Sequence, residues 1–378
     1  MTIARPAFER RVLSSIEADP PRIPVLVGGC GTGRTYLLRR LHDRLGPGDC
    51  QYVDVERCAT TPERLLRALL GASPFTAGDV SPEAGSPREA FDSLLSFFQG
   101  ARHARGDQAT FLLDEVLEFR TFENFPGLRH VLRDLIQGLA TSTNRFVLST
   151  RYITRALRFF RDSSPRIELV HLTPLSVEEM RDVFGPRDAA SDDLVRTVHA
   201  LTDGHTGYAQ ALVQAMRDLG GADPISALAA LLSPDGALAR EIEYSYELRL
   251  HRARGYGALK AILEILAEEE PLTLTEVAQR LQRTPGSTKD YLSWLEDVDL
   301  VSARQKRYSF TDPLLRLWVR LHCHPDPPAD EAVAREVQGH ALTQLASVAP
   351  PASDEPALVG ASNGRDVGRR PWGIIEID

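Results

Sequence analysis

The sequence predicts an α/β protein in which helices cover both faces of a parallel sheet. Two observations carry this reading. Short apolar runs at Ile23–Val27, Ala109–Leu113 and Phe146–Leu148 alternate with stretches of helical periodicity, and each run ends in small, polar or acidic residues. From Thr173 onward the alternation stops, and helical spacing dominates to about residue 347.

Residues 1–22 lead in through the amphipathic segment Val12–Ile16 and stop at Asp19-Pro20-Pro21. Ile23–Val27 reads as a buried strand, and Leu37, Leu38, Leu41 and Leu45 as one face of a helix that Gly46-Pro47-Gly48 ends. Between them, Gly28-Gly29-Cys30-Gly31-Thr32-Gly33-Arg34-Thr35 fits the phosphate-loop pattern at every fixed position but one, because Arg34 stands where lysine is expected. Glycines let the backbone turn several N–H groups inward, and the helix that follows presents its positive end. The loop from Gly28 to Thr35, with Tyr36 just inside the helix, is the expected nucleotide contact. Thr35 is the expected Mg²⁺ ligand. Lysines number three (Lys260, Lys289, Lys306) among 44 basic residues, so Arg34 is consistent with compositional drift. It is still not an equivalent of lysine: a planar fork crowds a loop that fits a compact ammonium. Binding is expected to survive and fast hydrolysis to suffer.

Gln51–Glu56 alternates as a strand, and Thr61 with Pro62 opens a helix carrying Leu65, Leu66 and Leu69. A Gly-, Pro- and Ser-rich loop at 72–87 precedes a helix with Phe91, Leu94 and Phe98. The strand Ala109–Leu113 then ends in Asp114-Glu115. Asp114 is the expected metal-shell carboxylate, and Glu115 the expected base that polarises water. After a helix through Leu139, the strand Asn144–Thr150 brings Ser149 or Thr150 as the candidate γ-phosphate sensor and Arg151 as a candidate phosphate contact. Arg166–Leu172 is a last strand.

Ser176 with Glu179 forms a capping box that opens a helical region, with helices at 191–203, 207–219 and 223–252, in which Tyr244, Tyr246 and Leu248 require burial. His205 reads as a surface-loop histidine, with a place near the nucleotide as the alternative. Three helices in 255–297, then a hairpin of 298–302 with 307–310, give a winged helix-turn-helix pattern, after which Asp312 caps a helix. A short helix at 331–347 precedes a tail expected to be mobile to about 370, with the apolar end Trp372–Asp378 free to dock. The expected units are 1–175, 176–252, 253–324 and 325–378.

A net charge of −8 argues against a generally basic nucleic-acid coat, and no apolar run is long enough to span a bilayer. Met1–Arg11 has no signal core, and Cys30, Cys50, Cys58 and Cys323 lack metal-ligand spacing, so a cytoplasmic protein with reduced thiols is expected.

Taken in order, Gly28–Thr35, Asp114-Glu115, Ser149-Thr150-Arg151, Leu172–Ser176 and Phe310-Thr-Asp-Pro-Leu-Leu-Arg-Leu-Trp318 resemble AAA+-related ATPases of the STAND and archaeal-ATPase kind, with origin-recognition ATPases as more distant relatives. The resemblance covers about residues 5–323. It implies ATP/ADP and Mg²⁺ as cofactors, a nucleotide-dependent switch, and a protein partner or homo-oligomer. It also leaves open an active remodelling ATPase, or a DNA-binding regulator acting through 253–324. Two departures stand out: Arg34, and Gly204-His205-Thr206 without the proline that often follows this glycine in STAND proteins.

Overall fold

The computed structural model describes residues 5–348 apart from 77, 79, 162, 186–189, 252–254 and 325. The expectations for the chain beyond 348 lie outside the described residues. Five parallel strands form the central sheet: β1 (Ile23–Val27), β2 (Cys50–Asp54), β3 (Thr110–Asp114), β4 (Arg145–Thr150) and β5 (Ile167–His171). Their order is β2-β3-β4-β1-β5. β4 therefore lies between the loop-bearing β1 and the acidic β3. The register sets Ser149 beside Leu26, Thr150 beside Val27, and Leu148 beside Leu113.

The period-2 geometry of the strands divides the core in two. Leu26, Leu112 and Val147 point to one face, where they meet Val12 and Ile16 of the helix Pro6–Glu17 and Leu38 and Leu41 of the helix Arg34–Leu45. Val25, Phe111 and Phe146 point to the other face, toward Leu94 and Phe98 of the helix Pro87–Gly100 and Leu135 of the helix Val131–Thr141. Phe111 and Phe146 stack with centroids 5.6 Å apart across neighbouring strands. Burial on both faces explains why β1, β3 and β4 read as nearly continuous apolar runs.

The helical region differs from expectation in two places. Residues 223–252 form two helices, Pro224–Leu232 and Ala237–His251, broken at the Ser233–Gly236 turn, where Gly236 N–H donates to Ser233 O at 2.8 Å. Tyr246 is fully buried, whereas Tyr244 is 72% exposed, on the opposite side of the same helix. The capping box of Ser176 with Glu179 is present.

The next region holds the helices Tyr256–Glu268, Leu274–Arg280 and Pro285–Asp297 and an antiparallel sheet in the order β6 (Leu272–Thr273, between the first two helices), β8 (Arg307–Phe310) and β7 (Val301–Arg304). The hairpin is shifted from the expected 298–302: β7 runs from 301 to 304, and the turn is two residues, Gln305-Lys306, with φ of +51° and +63°. That turn suits the strand twist, but it lacks the Asn-Gly signature that would reveal it in a sequence. Asp312 caps the helix Pro313–His322 by accepting from Leu314 N–H and Leu315 N–H. A final helix, Asp330–Val348, lies back on the helical region, with Val333, Val337 and Ala341 buried and His340 Nε2 3.0 Å from Leu201 O. Among the described residues, no helix is long and apolar enough to cross a membrane.

Candidate nucleotide site

The carboxyl ends of β1, β3 and β4 converge on one place, where ligands bind in open parallel sheets. Leaving β1, the chain turns through Gly31 and Gly33, at φ of +73° and +90°, and enters the helix Arg34–Leu45. Both values lie in the left-handed region that favours glycine. Thr32 Oγ1 donates to Gly29 O at 2.9 Å and ties the loop to itself. A cavity of about 210 Å³ opens on Gly31–Leu37 and reaches Arg5, Arg40, Thr206, Gly207 and Gln210. Thr35 and Tyr36 line it. Gly28, Gly29 and Cys30 form the part of the loop that joins it to β1.

The expected catalytic residues form one buried network. Arg34, only 7% exposed, does not point along the loop; its Nη1 lies 3.1 Å from Glu115 Oε1. The same oxygen lies 3.1 Å from Arg151 Nε, and Arg151 N–H donates to Glu115 Oε2 at 3.1 Å. Glu115 sits at φ +58°, a strained value for a side chain with a Cβ, and its own N–H donates to Ser149 Oγ at 3.2 Å. Ser149 Oγ in turn hydrogen-bonds Asp114 Oδ1, and Tyr52 O–H donates to Asp114 Oδ2 at 2.8 Å. Burial, and then the neighbouring Asp114 carboxylate, push the Tyr52 phenol up, so it stays a donor. Arg151 also pairs with Glu56. Burial works against the Arg151 charge, but Glu115 and Glu56 outweigh it and raise its pKa.

The geometry thus unites Arg34, Asp114, Glu115, Ser149 and Arg151, and places Thr35 and Tyr36 at the cavity. Glu56, Tyr52 and Arg249 are additions. Glu56 belongs to the one-turn helix Val55–Cys58 that ends β2. Its signal was its position just past a strand's carboxyl end, beside the acidic strand. Arg249 is buried on the helix Ala237–His251. Burial alone would raise the Cys30 thiol; Arg249, Arg151 and Arg34 outweigh it and pull it down.

His205 is a correction. It does not face solvent on a surface loop but lies against the phosphate loop, where its Nε2 hydrogen-bonds Cys30 O. A Cβ on Gly31 would come within 1.9 Å of His205 Cε1. His205 Nδ1 accepts from Tyr208 N–H, capping the helix Thr206–Asp218, so the ring proton sits on Nε2 and is donated to the loop. The ring stacks on Tyr208 at 3.8 Å, and Tyr208 O–H donates to Asp312 Oδ2 at 2.6 Å. Burial lowers the His205 pKa, against the opposing pull of Asp312 and the Cys30 carbonyl.

The segment after the helix Pro285–Asp297 meets the helix Ile153–Phe160. Asp299 accepts from Ile153 N–H, from Thr154 N–H at 3.1 Å and from Thr154 Oγ1 at 2.9 Å, so it caps a helix nearly 150 residues before it. Asp297 pairs with Arg158 at 3.1 Å, and Arg249 donates to Asp299 O at 3.2 Å.

The residues present fit the phosphates of a nucleotide. A Cβ at Gly33 would meet open space, so the loop's N–H face is free there. The pairing of Arg34 with Glu115 is poorly aligned, and Arg34 Nε and Nη1 have no hydrogen-bond partner among the described residues.

No protein-family model and no curated protein matches the chain. Solved structures do. A Walker-type ATPase of Pyrococcus abyssi superposes with a TM-score of 0.64 at 17% identity, over 84% of this chain and 96% of that one. The Orc1 protein of Aeropyrum pernix, solved in complex with DNA, gives 0.46 at 18% identity, over 91% and 95%. A RuvB variant of Thermotoga maritima gives 0.42 at 16%, over 82% and 92%. The first similarity, together with the sheet order, shows that the chain has the fold of P-loop ATPases.

Proposed function

We propose that this protein is an ATP-binding switch that hydrolyses ATP slowly. One observation carries the reading: Glu115, in the position of the water-polarising base, is held between Arg34 and Arg151 instead of facing open space. A carboxylate whose oxygen is held by two guanidiniums is not free to orient an attacking water. The basic residue of the loop is occupied in the same pair. Arg34 must leave Glu115 before it can reach a phosphate, and Glu115 then keeps only Arg151. Binding and activation of the base are coupled through one ion pair.

Gly31–Thr35 would hold the phosphates, and Thr35 and Asp114 the Mg²⁺. When bound, Mg²⁺ would supply charge neutralisation between the outer phosphates. Ser149 and Tyr52 orient Asp114 for that task, and Ser149 also accepts from the Glu115 N–H. The switch would address a protein partner or a second copy, with residues 253–324, read as a winged helix, reporting the state of the site by docking on the core, where Asp299 caps the helix Ile153–Phe160. The test is a single-turnover assay with labelled ATP, run beside calorimetric titration with ATP·Mg²⁺ and ADP·Mg²⁺. Micromolar binding with turnover well below one per second supports the switch. Turnover in the usual range of about 1–10³ per second would make it an active ATPase.

A further inference from the structure

The thiol of Cys30 is a nucleophile that the nucleotide site leaves unused. Cys30 is half-buried in the phosphate loop, one residue before the part of the loop that lines the cavity. Of the guanidiniums gathered around it, Arg34 and Arg151 share the carboxylates of Glu115 and Glu56. Arg249 is different. It is 7% exposed, and among the described residues no carboxylate lies within ion-pair distance of it. Its Nη1 donates to Asp299 O at 3.2 Å and its Nη2 to Ser245 Oγ at 2.8 Å, both neutral acceptors. Its buried Nε has no hydrogen-bond partner among the described residues. A buried guanidinium without a counter-charge is costly, so this one calls for an anion beside it.

The ionisable group that answers it is the Cys30 thiol. Burial works against the Arg249 charge, and Cys30 is the largest influence that sustains it, ahead of Tyr208, Asp312 and Asp299. The reverse holds at the thiol. Burial raises it, but Arg249, then Arg151 and Arg34, with the Ser245 hydroxyl, draw it below the ordinary thiol range. The thiolate is the nucleophilic form of cysteine, and cations beside it set how much is present near neutral pH. The other thiols lack this setting. Cys50 is buried, and burial with Asp49 and Asp43 pushes it up to about 12. Burial and Asp54 raise Cys58, and burial raises Cys323.

We propose that Cys30 is a reactive thiolate paired with Arg249, and that its oxidation by a hydroperoxide blocks nucleotide binding. The sulfur attacks one peroxide oxygen, so that the S–O bond forms and the O–O bond breaks. Sulfur gives up two electrons and becomes a sulfenic acid, while the departing hydroxide takes a proton from solvent and leaves as water. The product adds an atom to a loop packed so closely that a Cβ on Gly31 would come within 1.9 Å of His205 Cε1. The block rests on the nucleotide reading of the site; the reactivity of Cys30 does not.

The reactivity is tested by labelling the full chain with limiting iodoacetamide and following all four cysteines by peptide mass spectrometry. Arg249→Lys and Arg249→Met are labelled beside it, with thermal melts to confirm folding. At pH 7 Cys30 should react at least about tenfold faster than Cys50, Cys58 and Cys323. Arg249→Met should slow Cys30 about tenfold and move the midpoint of its pH–rate profile upward, and Arg249→Lys should keep most of the rate. A parent chain in which Cys30 reacts no faster than Cys58 and Cys323, or a Cys30 rate indifferent to Arg249→Met in the folded variant, overturns the assignment. The block is tested by calorimetry with ATP·Mg²⁺ before and after hydrogen peroxide. Treatment should weaken binding about tenfold, dithiothreitol should reverse the loss, and treated and untreated Cys30→Ser should bind alike. Affinity that peroxide leaves unchanged overturns the block. An untreated parent chain that binds no ATP·Mg²⁺ overturns the nucleotide site, while the labelling still decides the thiolate.

Discussion

Arg34 and Glu115 form an ion pair, 3.1 Å between Nη1 and Oε1, with both side chains nearly excluded from water. It joins the residue that departs from the phosphate-loop pattern to the residue expected to act as base. The arginine is therefore more than a bulky replacement for lysine. Its fork spans the gap to β3's end, and the network of Glu115, Arg151 and Glu56 is built around it.

The first prediction follows from that pair. Arg34→Lys should raise single-turnover hydrolysis about tenfold or more, because a compact ammonium leaves Glu115 to Arg151 alone and turns along the loop. ATP affinity should change little. Tenfold corresponds to about 1.4 kcal/mol in the barrier. Glu115→Gln should hold ATP unhydrolysed in either background. A lower rate in Arg34→Lys would mean that the site works through the arginine fork.

Much of this arrangement was legible because it is local. Gly28–Thr35 carries its own turn chemistry, and Asp114-Glu115 ends a strand whose burial on both faces makes it apolar throughout. What stayed hidden was long-range pairing. Nothing near Glu56 indicates Arg151, and nothing near Asp299 indicates the amides of Ile153 and Thr154. His205 read as a surface residue because its partners, Cys30 and Tyr208, include one that is 175 positions away. Arg34 raised doubts about catalysis, but its partner depended on a backbone turn at Glu115 with φ of +58°, which no residue type signals.

The loop's glycines give the second prediction. Gly33→Val should abolish nucleotide binding. The side chain enters space left open beside the loop, and φ of +90° costs a β-branched residue at least about 1–2 kcal/mol. Gly31→Ala should act differently: its Cβ meets His205, so the start of the helix Thr206–Asp218 is pushed from the loop, and Gly31→Ala with His205→Ala should recover part of the lost stability. Melting temperatures and calorimetry on the three proteins separate the effects. Unchanged affinity in a folded Gly33→Val protein would remove the phosphate assignment.

The third concerns pH. Burial holds the folded-state pKa of His205 below its ordinary 6.5, with Asp312, Glu241 and Arg249 facing it. The unfolded chain thus binds the extra proton first as pH falls. The stabilisation is whole above about 6.5 and is lost as pH drops through 6.5 toward the folded value, at no more than about 1.4 kcal/mol per pH unit. His340, also lowered by burial, adds in the same direction. His205→Gln should flatten the rise of the melting temperature between pH 5 and 7. An unaltered slope would mean that His205 is not the titrating contact between the helix Thr206–Asp218 and the loop.

The last prediction decides what the C-terminal unit does. Residues 251–324 carry eleven basic and ten acidic side chains, so the unit is nearly neutral and draws little steering from an acidic chain. Arg304 and Lys306 are exposed at the hairpin, and Lys289 on the third helix, but Arg280 pairs with Glu269, and Arg307 lies 3.8 Å from Glu276. The acidic residues after that helix are engaged instead. Asp297 pairs with Arg158, and Asp299 caps the helix Ile153–Phe160. Removing that cap should cost about 1–2 kcal/mol of docking. Asp299→Ala should therefore speed proteolysis between the core and 255–324 and change the response of that region to ATP, while the core still melts cooperatively. Duplex DNA should bind weakly to the parent chain. If DNA is the ligand, log affinity falls with log salt by about 0.9 per phosphate neutralised, and neutralising Arg304, Lys306 and Arg307 together flattens the slope. Asp299→Ala then tells the two roles apart. Tighter DNA binding in the undocked variant would mean that the core masks a DNA-binding face. DNA binding that stays weak, with the ATP response lost, would make docking on the core the unit's function.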